Sequence, residues 1–373
     1  MAITVVSPND VLRNQFRTIP AYMNIAGMET DIYIKEIEVN QELGMHDSIW
    51  INAEFGITDP MQLADKPFQL RYGQGANSNV FYGYFEAILK NQSLHSTIDI
   101  TAQGLGWTAI MRRGARRILE GTTLTDVVRP LVTPHGFRFK VDEPTFSSYR
   151  EAQVDESDWG FLVRIAGSLN RFVSSVNGTV WVLDPIAELK KGKALLTFDR
   201  NSQDPDAVDY LLDYAPNSVS GDMSTYRDTV GYSYLNSAGK VVTRTPKDTE
   251  DTTNFYTGYI PNADWARRVS DLVDLTSFHT ATARINGNAL LAPGLVCAFM
   301  TTRPEQRPMD KFDGLWMIQS VQHKIGMNFF QTNLTMIRDE IRLPIVGAPY
   351  VWPITTRPGK LVPFIIVNDR WRM

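Results

Sequence analysis

The strongest local charge in the chain is Arg112-Arg113-Gly114-Ala115-Arg116-Arg117, four arginines in six residues. A row of guanidinium groups like this can track a phosphate backbone. It can equally protect a solvated edge strand from pairing with another edge, or supply ion pairs between subunits. No aromatic residue is interleaved to stack on bases, which weakens a single-strand-binding reading. The other residue types that carry chemistry are scattered. His46, His95, His135, His279 and His323 lie far apart, and none has a second His or a Cys at metal-ligand spacing. The single cysteine, Cys297, sits in the apolar run Leu295-Val296-Cys297-Ala298-Phe299-Met300 and reads as a small core residue. Acidic residues cluster at Asp155/Glu156 and at Asp204/Asp206/Asp209. A glycosidase would need two carboxylates about 5–9.5 Å apart in a cleft. Acidic residues at a helix start and in polar loops account for these clusters more simply.

Recognisable catalytic and nucleotide-binding patterns are missing. There is no Gly-x-Ser-x-Gly, no phosphate-binding Gly-x-x-x-x-Gly-Lys-Ser/Thr loop and no His-Glu-x-x-His zinc helix. Gly73-x-Gly75 lacks the third glycine and the following helix of a dinucleotide fingerprint. The expectation is a protein without enzymatic activity, cofactor or metal.

The elements that must position these groups sit in a chain of 373 residues, enough for two or three domains. Hydrophobic residues make up 43% and charged residues 21%, as in folded proteins rather than disordered ones. A net charge of -4 gives no whole-protein electrostatic grip on nucleic acid or an anionic membrane. One cysteine precludes an internal disulfide and suits a reducing folding compartment. The N-terminus lacks the basic start and apolar run of a signal peptide. No apolar run approaches the ~18 residues of a membrane helix, so a soluble protein is expected.

Periodicity gives a β-rich α+β chain. Residues 1–27 form an N-terminal extension, and 28–103 read as a first antiparallel barrel-like domain. Its strands are expected at Asp31–Val39, Ser48–Ile57, Pro67–Tyr72, Val80–Leu89 and Leu94–Ala102. Residues 104–200 read as a small α/β insert. Thr123 and Asp126 make a capping-box-like start to a helix over Thr122–Arg129, which Pro130 should end or kink. A second helix starts at Ser157, with Phe161, Leu162, Ile165, Ala166 and Leu169 on one stripe. Asn177-Gly178 then joins Arg171–Val176 to Thr179–Leu183 as a hairpin. Residues 201–279 form a mixed connecting segment. Strands are expected there at Tyr210–Tyr214 and Thr229–Tyr234, a polar loop at Lys247–Thr253 and a helix at Trp265–Leu275.

Residues 280–343 read as a second barrel-like domain, with strands at Ala281–Ile285, Gly294–Met300, Leu315–Gln322 and Phe330–Arg338. Residues 344–373 differ from everything before them. Five prolines and the aromatics Tyr350, Trp352, Phe364 and Trp371 mark an extended arm that packs on a partner or on the chain itself. Its segment Leu361–Val367 could add a strand to an exposed sheet edge.

Three stretches together resemble the baseplate hub family of phage tails, of the late control protein D type, and the hub portion of type VI secretion spike proteins. The first is Thr123-Leu-Thr-Asp-Val-Val followed by Tyr149–Ala166, where Gly160 replaces a larger residue of the family pattern. The second runs Pro293-Gly-Leu-Val, Phe312–Ile325 and Phe330–Arg338, and makes His323 a strand residue of a structural pattern. The third is Phe81-Tyr-Gly-Tyr-Phe. The resemblance spans roughly residues 28–343. It implies a homotrimer whose two barrels per chain form a pseudo-six-fold ring between a hexameric tail tube and a trimeric central spike. It also implies a virion location in the tail baseplate after assembly in the host cytoplasm. Baseplate wedge proteins and a tape-measure protein would be further neighbours, with DNA passing through the ring and no membrane insertion by this chain. In that setting the four arginines would face a subunit interface or the lumen, and the arm aromatics a partner. A tail-associated cell-wall hydrolase and a receptor- or glycan-binding tail protein are the competing classes.

Overall fold

A computed structural model describes residues 3–4, 22–25, 32–55, 66–74, 77–90, 98–104, 114–135, 137–144, 149–169, 171–176, 179–199, 211–215, 230–235, 241–244, 254–260, 279–300, 313–326, 329–338, 365–367 and 370–372. The helix expected at Trp265–Leu275 and the loop at Lys247–Thr253 lie outside them, as do Arg112, Arg113, Tyr350, Trp352 and Phe364.

The N-terminal β region comprises β1 (Ile3–Thr4), β2 (Tyr22–Ile25), β3 (Ile32–Glu42), β4 (Ser48–Phe55), β5 (Pro67–Gln74), β6 (Asn77–Lys90) and β7 (Ile98–Gly104). The α/β unit follows: β8 (Gly114–Gly121), α1 (Leu124–Val132), β9 (Arg138–Val141), β10 (Tyr149–Ser157), α2 (Asp158–Ser168), β11 (Phe172–Val176), β12 (Thr179–Leu183), α3 (Pro185–Lys190) and β13 (Thr197–Asp199). Next come β14 (Leu211–Ala215), β15 (Val230–Leu235), β16 (Val241–Arg244) and β17 (Asn254–Ile260). The C-terminal β region holds β18 (His279–Asn286), β19 (Val296–Met300), β20 (Gly314–Gly326) and β21 (Phe329–Arg338), and the chain ends in β22 (Ile365–Val367) and β23 (Arg370–Arg372).

The two β-rich ends share one 13-stranded sheet, ordered β1-β2-β5-β6-β7-β4-β3-β20-β21-β18-β14, with β19 and β13 branching from β20. The seam is the antiparallel pairing of β3 with β20, in which Val39 stands opposite His323 and Gln41 opposite Val321. Strand alternation sends Ile37, Val39, Val321, His323, Ile325, Leu334 and Met336 to the buried side. The strip also curls back on itself. Tyr72 of β5 and His323 of β20 are five places apart in strand order, yet their rings lie 5.6 Å apart.

The α/β unit packs on this sheet through the three-stranded layer β11-β12-β9. Its central strand β12 is apolar on both faces apart from Thr179 and is buried throughout. Val173, Val180 and Val182 face α1 and α2. Val176, Trp181 and Leu183 face the C-terminal region, packing with Leu295, Phe299 and Trp316. β11 and β12 pair antiparallel, as the expected hairpin requires, with Val176 opposite Thr179.

Both helices start where the capping residues place them. Thr123 Oγ1 accepts from the Asp126 N–H at 3.2 Å while the Asp126 carboxylate reaches back to the Thr123 N–H at 3.0 Å. The Glu143 carboxylate adds two more acceptors for the first turn, at the amides of Leu124 and Thr125. The expected stop at Pro130 is not where the helix ends: α1 runs through it to Val132. A proline in the last turn forfeits one N–H donor to the carbonyl four residues back, which so short a remainder tolerates. In α2, Ser157 Oγ accepts from the Gly160 N–H at 3.1 Å, and the stripe Phe161, Leu162, Ile165, Ala166, Leu169 is buried. A side chain at Gly160 would press on that same Ser157 oxygen, its Cβ 3.2 Å away, so the glycine that departs from the family pattern keeps the cap clear.

Candidate interaction surfaces

The arginine cluster lies partly on β8, which pairs only with β10 among the described residues. Its two described arginines do different work. Arg116 is exposed and grips Asp155 with two hydrogen bonds, Nε to Oδ1 and Nη2 to Oδ2, both 2.5 Å. Asp155 sits at a bulge between Val154 and Glu156 and has φ +54, the one positive value at a non-glycine residue among those described. The bidentate arginine holds its carboxyl below the usual range. Arg117 points to the opposite face of the ribbon. It donates to Gln153 Oε1 at 2.8 Å and to Asp158 Oδ1 at 2.6 Å. Asp158 also meets Gln153 Nε2 at 2.8 Å and His135 Nε2 at 3.1 Å. Burial pushes the Asp158 carboxyl upward, but the bonds from His135 and Gln153 and the charge of Arg117 outweigh it and hold it low. This network ties the ribbon to the first residue of α2.

The ribbon's outer face carries Ile118 at 58% exposure and Val154 at 64%, beside exposed Ala152 and Arg116. The suspected carboxylate pair Asp155/Glu156 is spent on arginines, since Glu156 takes Arg164 at 2.7 Å. Asp204, Asp206 and Asp209 lie outside the described residues. Trp371 belongs to β23, whose register sets it opposite Ile366 of β22 in a two-stranded hairpin. The arm segment expected to add a strand to a sheet edge thus pairs, where described, with its own C-terminal end.

A second surface, which sequence reasoning missed, is the polar face of the seam. Asn333 Nδ2 donates to Gln322 Oε1 at 2.9 Å, Gln322 Nε2 donates to Glu38 Oε1 at 2.8 Å, and Lys324 lies 3.4 Å from Glu38. This ladder crosses β21, β20 and β3. Beside it a groove of about 600 Å³ runs between Asn40, Glu42 and Met45 on one side and Arg284 and Asn333 on the other. No local signal could reveal it, because its walls come from opposite ends of the chain.

Three residues that could have carried chemistry are structural. His323 is fully buried: its Nδ1 pairs with the Thr332 hydroxyl at 2.9 Å and its Nε2 with the Leu291 carbonyl at 3.2 Å. Burial lowers its pKa to about 4, so the ring is neutral. Arg338 is buried with its guanidinium 4.0 Å over the Trp316 ring, donating to the Asp313 carbonyl at 2.9 Å. Cys297 is buried, and burial pushes its thiol up to about 12. Among the described residues no group of His, Cys, Asp and Glu could hold a metal ion, and no helix is long and apolar enough to cross a membrane.

No family model matches the sequence, and no curated protein matches it. Solved structures do match the fold. A tail protein from Neisseria meningitidis MC58 superposes with a TM-score of 0.62 at 15% identity, covering 88% of this chain and 98% of the other. The 43 kDa tail protein of prophage MuSo2 from Shewanella oneidensis gives 0.57 at 12% identity, covering 86% and 99%. An E. coli component of the type VI secretion system, structurally similar to the T4 bacteriophage tail proteins gp27 and gp5, gives 0.55 at 12% identity, covering 90% and 79%. The chain therefore has the β-rich fold shared by phage tail proteins and a type VI secretion component, the fold that its hub-like motifs resemble.

Proposed function

We propose that the chain is a structural subunit of a phage tail baseplate hub, three copies of which close a ring between the six-fold tail tube and the three-fold central spike. The observation that carries this reading is the near-complete coverage of two tail proteins, one of them from a prophage, over 98% and 99% of their lengths. The seam supports it physically. Each subunit of an adaptor ring that presents two similar β regions must hold them rigidly to one another, and β3·β20 pairing does so with main-chain hydrogen bonds. We read the role as mechanical rather than catalytic: among the described residues, His323 is held in the core, and Asp155 and Glu156 are paired with arginines. In the particle the ring contacts tube, spike and wedge proteins and passes DNA during delivery. Native mass spectrometry of the purified chain, with averaged electron images of the tail, tests this. Three copies per ring at the tube–spike junction are expected. A stable monomer at high concentration, together with a copy number in the virion that is not a multiple of three, overturns it.

A further inference from the structure

The β3–β4 turn, residues 43–47, is where the three parts of the molecule meet. Leu43 N–H donates to the Gln319 carbonyl of β20 at 3.0 Å, and Gly44 N–H donates to the Val173 carbonyl of β11 at 2.7 Å. Trp159 Nε1 of α2 donates to the Gly44 carbonyl at 3.3 Å. At its base lies an unusual pair. Gln41 Nε2 donates to Asp47 Oδ2 at 3.2 Å, while Gln41 Oε1 is buried and has no hydrogen-bond partner. An orphaned buried acceptor costs roughly 1–3 kcal/mol in general, and here it sits on the same amide that already touches a carboxyl. A carboxylate can only accept. A neutral carboxylic acid has an O–H to give, and with a primary amide it closes a ring of two parallel hydrogen bonds, N–H to C=O and O–H to O=C.

We propose that Asp47 is a proton-held latch: while neutral, its carboxyl pairs with the Gln41 amide in both directions and locks the β3–β4 turn, and on ionisation the second bond is lost and the turn's hold on β11 and β20 loosens. The surroundings favour the neutral form. Although Asp47 as a residue keeps some contact with solvent, loss of hydration around its carboxyl pushes its pKa up to about 8, against the smaller opposing effect of the Gln41 N–H. The ionisable group that faces it is Tyr72 of β5. The Tyr72 hydroxyl is driven above the usual tyrosine range by burial first and by the Asp47 charge second, with Asn79 opposing. No cation is among the groups that shift the Asp47 carboxyl. The device is independent of the hub reading, since it rests on contacts within one chain.

The linkage has a definite sign. Between pH 4 and 8 the folded chain keeps a proton that the unfolded chain has lost, so this group's contribution to stability falls as pH rises. Chemical denaturation of the full chain and of Asp47→Asn at pH 5, 6 and 7 measures it. Asn keeps an N–H for Gln41 Oε1 and does not titrate. The unfolding constant of the wild type relative to Asp47→Asn is expected to rise about tenfold per pH unit across that window. A ratio that stays constant overturns the proposal. Carboxyl ¹³C NMR of aspartate-labelled wild type gives a reading that needs no variant. One aspartate titrating near pH 8 supports the latch, and complete ionisation of every aspartate by pH 6 refutes it.

Discussion

The α/β unit and the β seam are held by contacts of opposite range. In the unit, the cluster around α1 and α2 draws all its buried members from Leu124 to Val182, and the side chains of Thr123 and Ser157 cap amides three residues away. In the seam, the Gln322 and Glu38 side chains that hydrogen-bond are 284 positions apart. The unit is an assembly of local decisions, each visible in a short window. The seam is one long-range decision, made by register. If this contrast is real, damage to the unit should act through packing and caps, and damage to the seam through buried hydrogen bonds that depend on both ends of the chain.

The largest effect is expected from Leu162→Asp. It puts an unpaired charge at a fully buried position of α2 and removes apolar packing besides, at a cost of at least ~3 kcal/mol. Loss of soluble protein or a collapse of the melting temperature is the expected readout. Unchanged melting would mean that the helix does not depend on its stripe. His323→Phe probes the seam's neighbourhood and should cost about 1–3 kcal/mol by removing the ring nitrogens paired with the Thr332 hydroxyl and the Leu291 carbonyl, although the Thr332 oxygen keeps the Asn288 N–H. It should also change a pH profile. Because burial holds this ring's pKa near 4, the unfolded chain takes up a proton that the folded chain refuses as pH falls from about 6.5. Wild-type stability gains from this group as pH rises from about 4 to 6.5. The difference between wild type and His323→Phe in guanidinium melts should carry that slope, and a flat difference would place the ring in contact with solvent.

The smallest effects separate two neighbouring arginines. Arg117→Gln should lower stability by about 1 kcal/mol or less, because Asp158 and Gln153 lose a donor at the start of α2 but the site is partly screened. Arg116→Gln should leave the melting temperature unchanged despite its two short bonds, since Arg116 and Asp155 are both well exposed. Equal effects at both positions would erase the distinction between the ribbon's inner and outer faces. Within the chain, Arg117 bonds Gln153 and Asp158, a tie that composition alone does not announce.

Legibility in the sequence followed range. The caps at Thr123 and Ser157, the stripe on α2, the Asn-Gly hairpin and the main strands of both β regions are readable because each is decided within about a dozen residues. The missed pieces include α3, which is six residues long and announced only by Asp184-Pro185, and β10, whose charged sequence Tyr149–Ser157 hides its alternation. The β3·β20 seam escaped for a different reason. Both strands show ordinary alternation, and nothing in either names its partner. The polar groove and the Asp47–Gln41 pair escaped with it. The arginines were visible as a charge cluster, but which of them faces inward depends on the pairing with β10, where Gln153 stands opposite Arg117 and Val154 opposite Arg116.

The seam also sets the order of events during synthesis. A strand in the middle of this sheet needs a neighbour on each side, and β3 receives β4 almost at once but β20 only after most of the chain has been made. With ribosomes adding roughly 5–20 residues per second, 284 positions correspond to about 15–60 s during which β3 has an open flank. An uncovered, apolar-faced strand is the kind of template on which nascent chains join each other. Its inner face carries Ile34, Ile37 and Val39, while Lys35, Glu36 and Glu38 alternate with them, so one side of the waiting strand bears charge. Charged residues on an open strand discourage edge-to-edge pairing, so the same side chains that serve the finished sheet would also act as gatekeepers until β20 arrives.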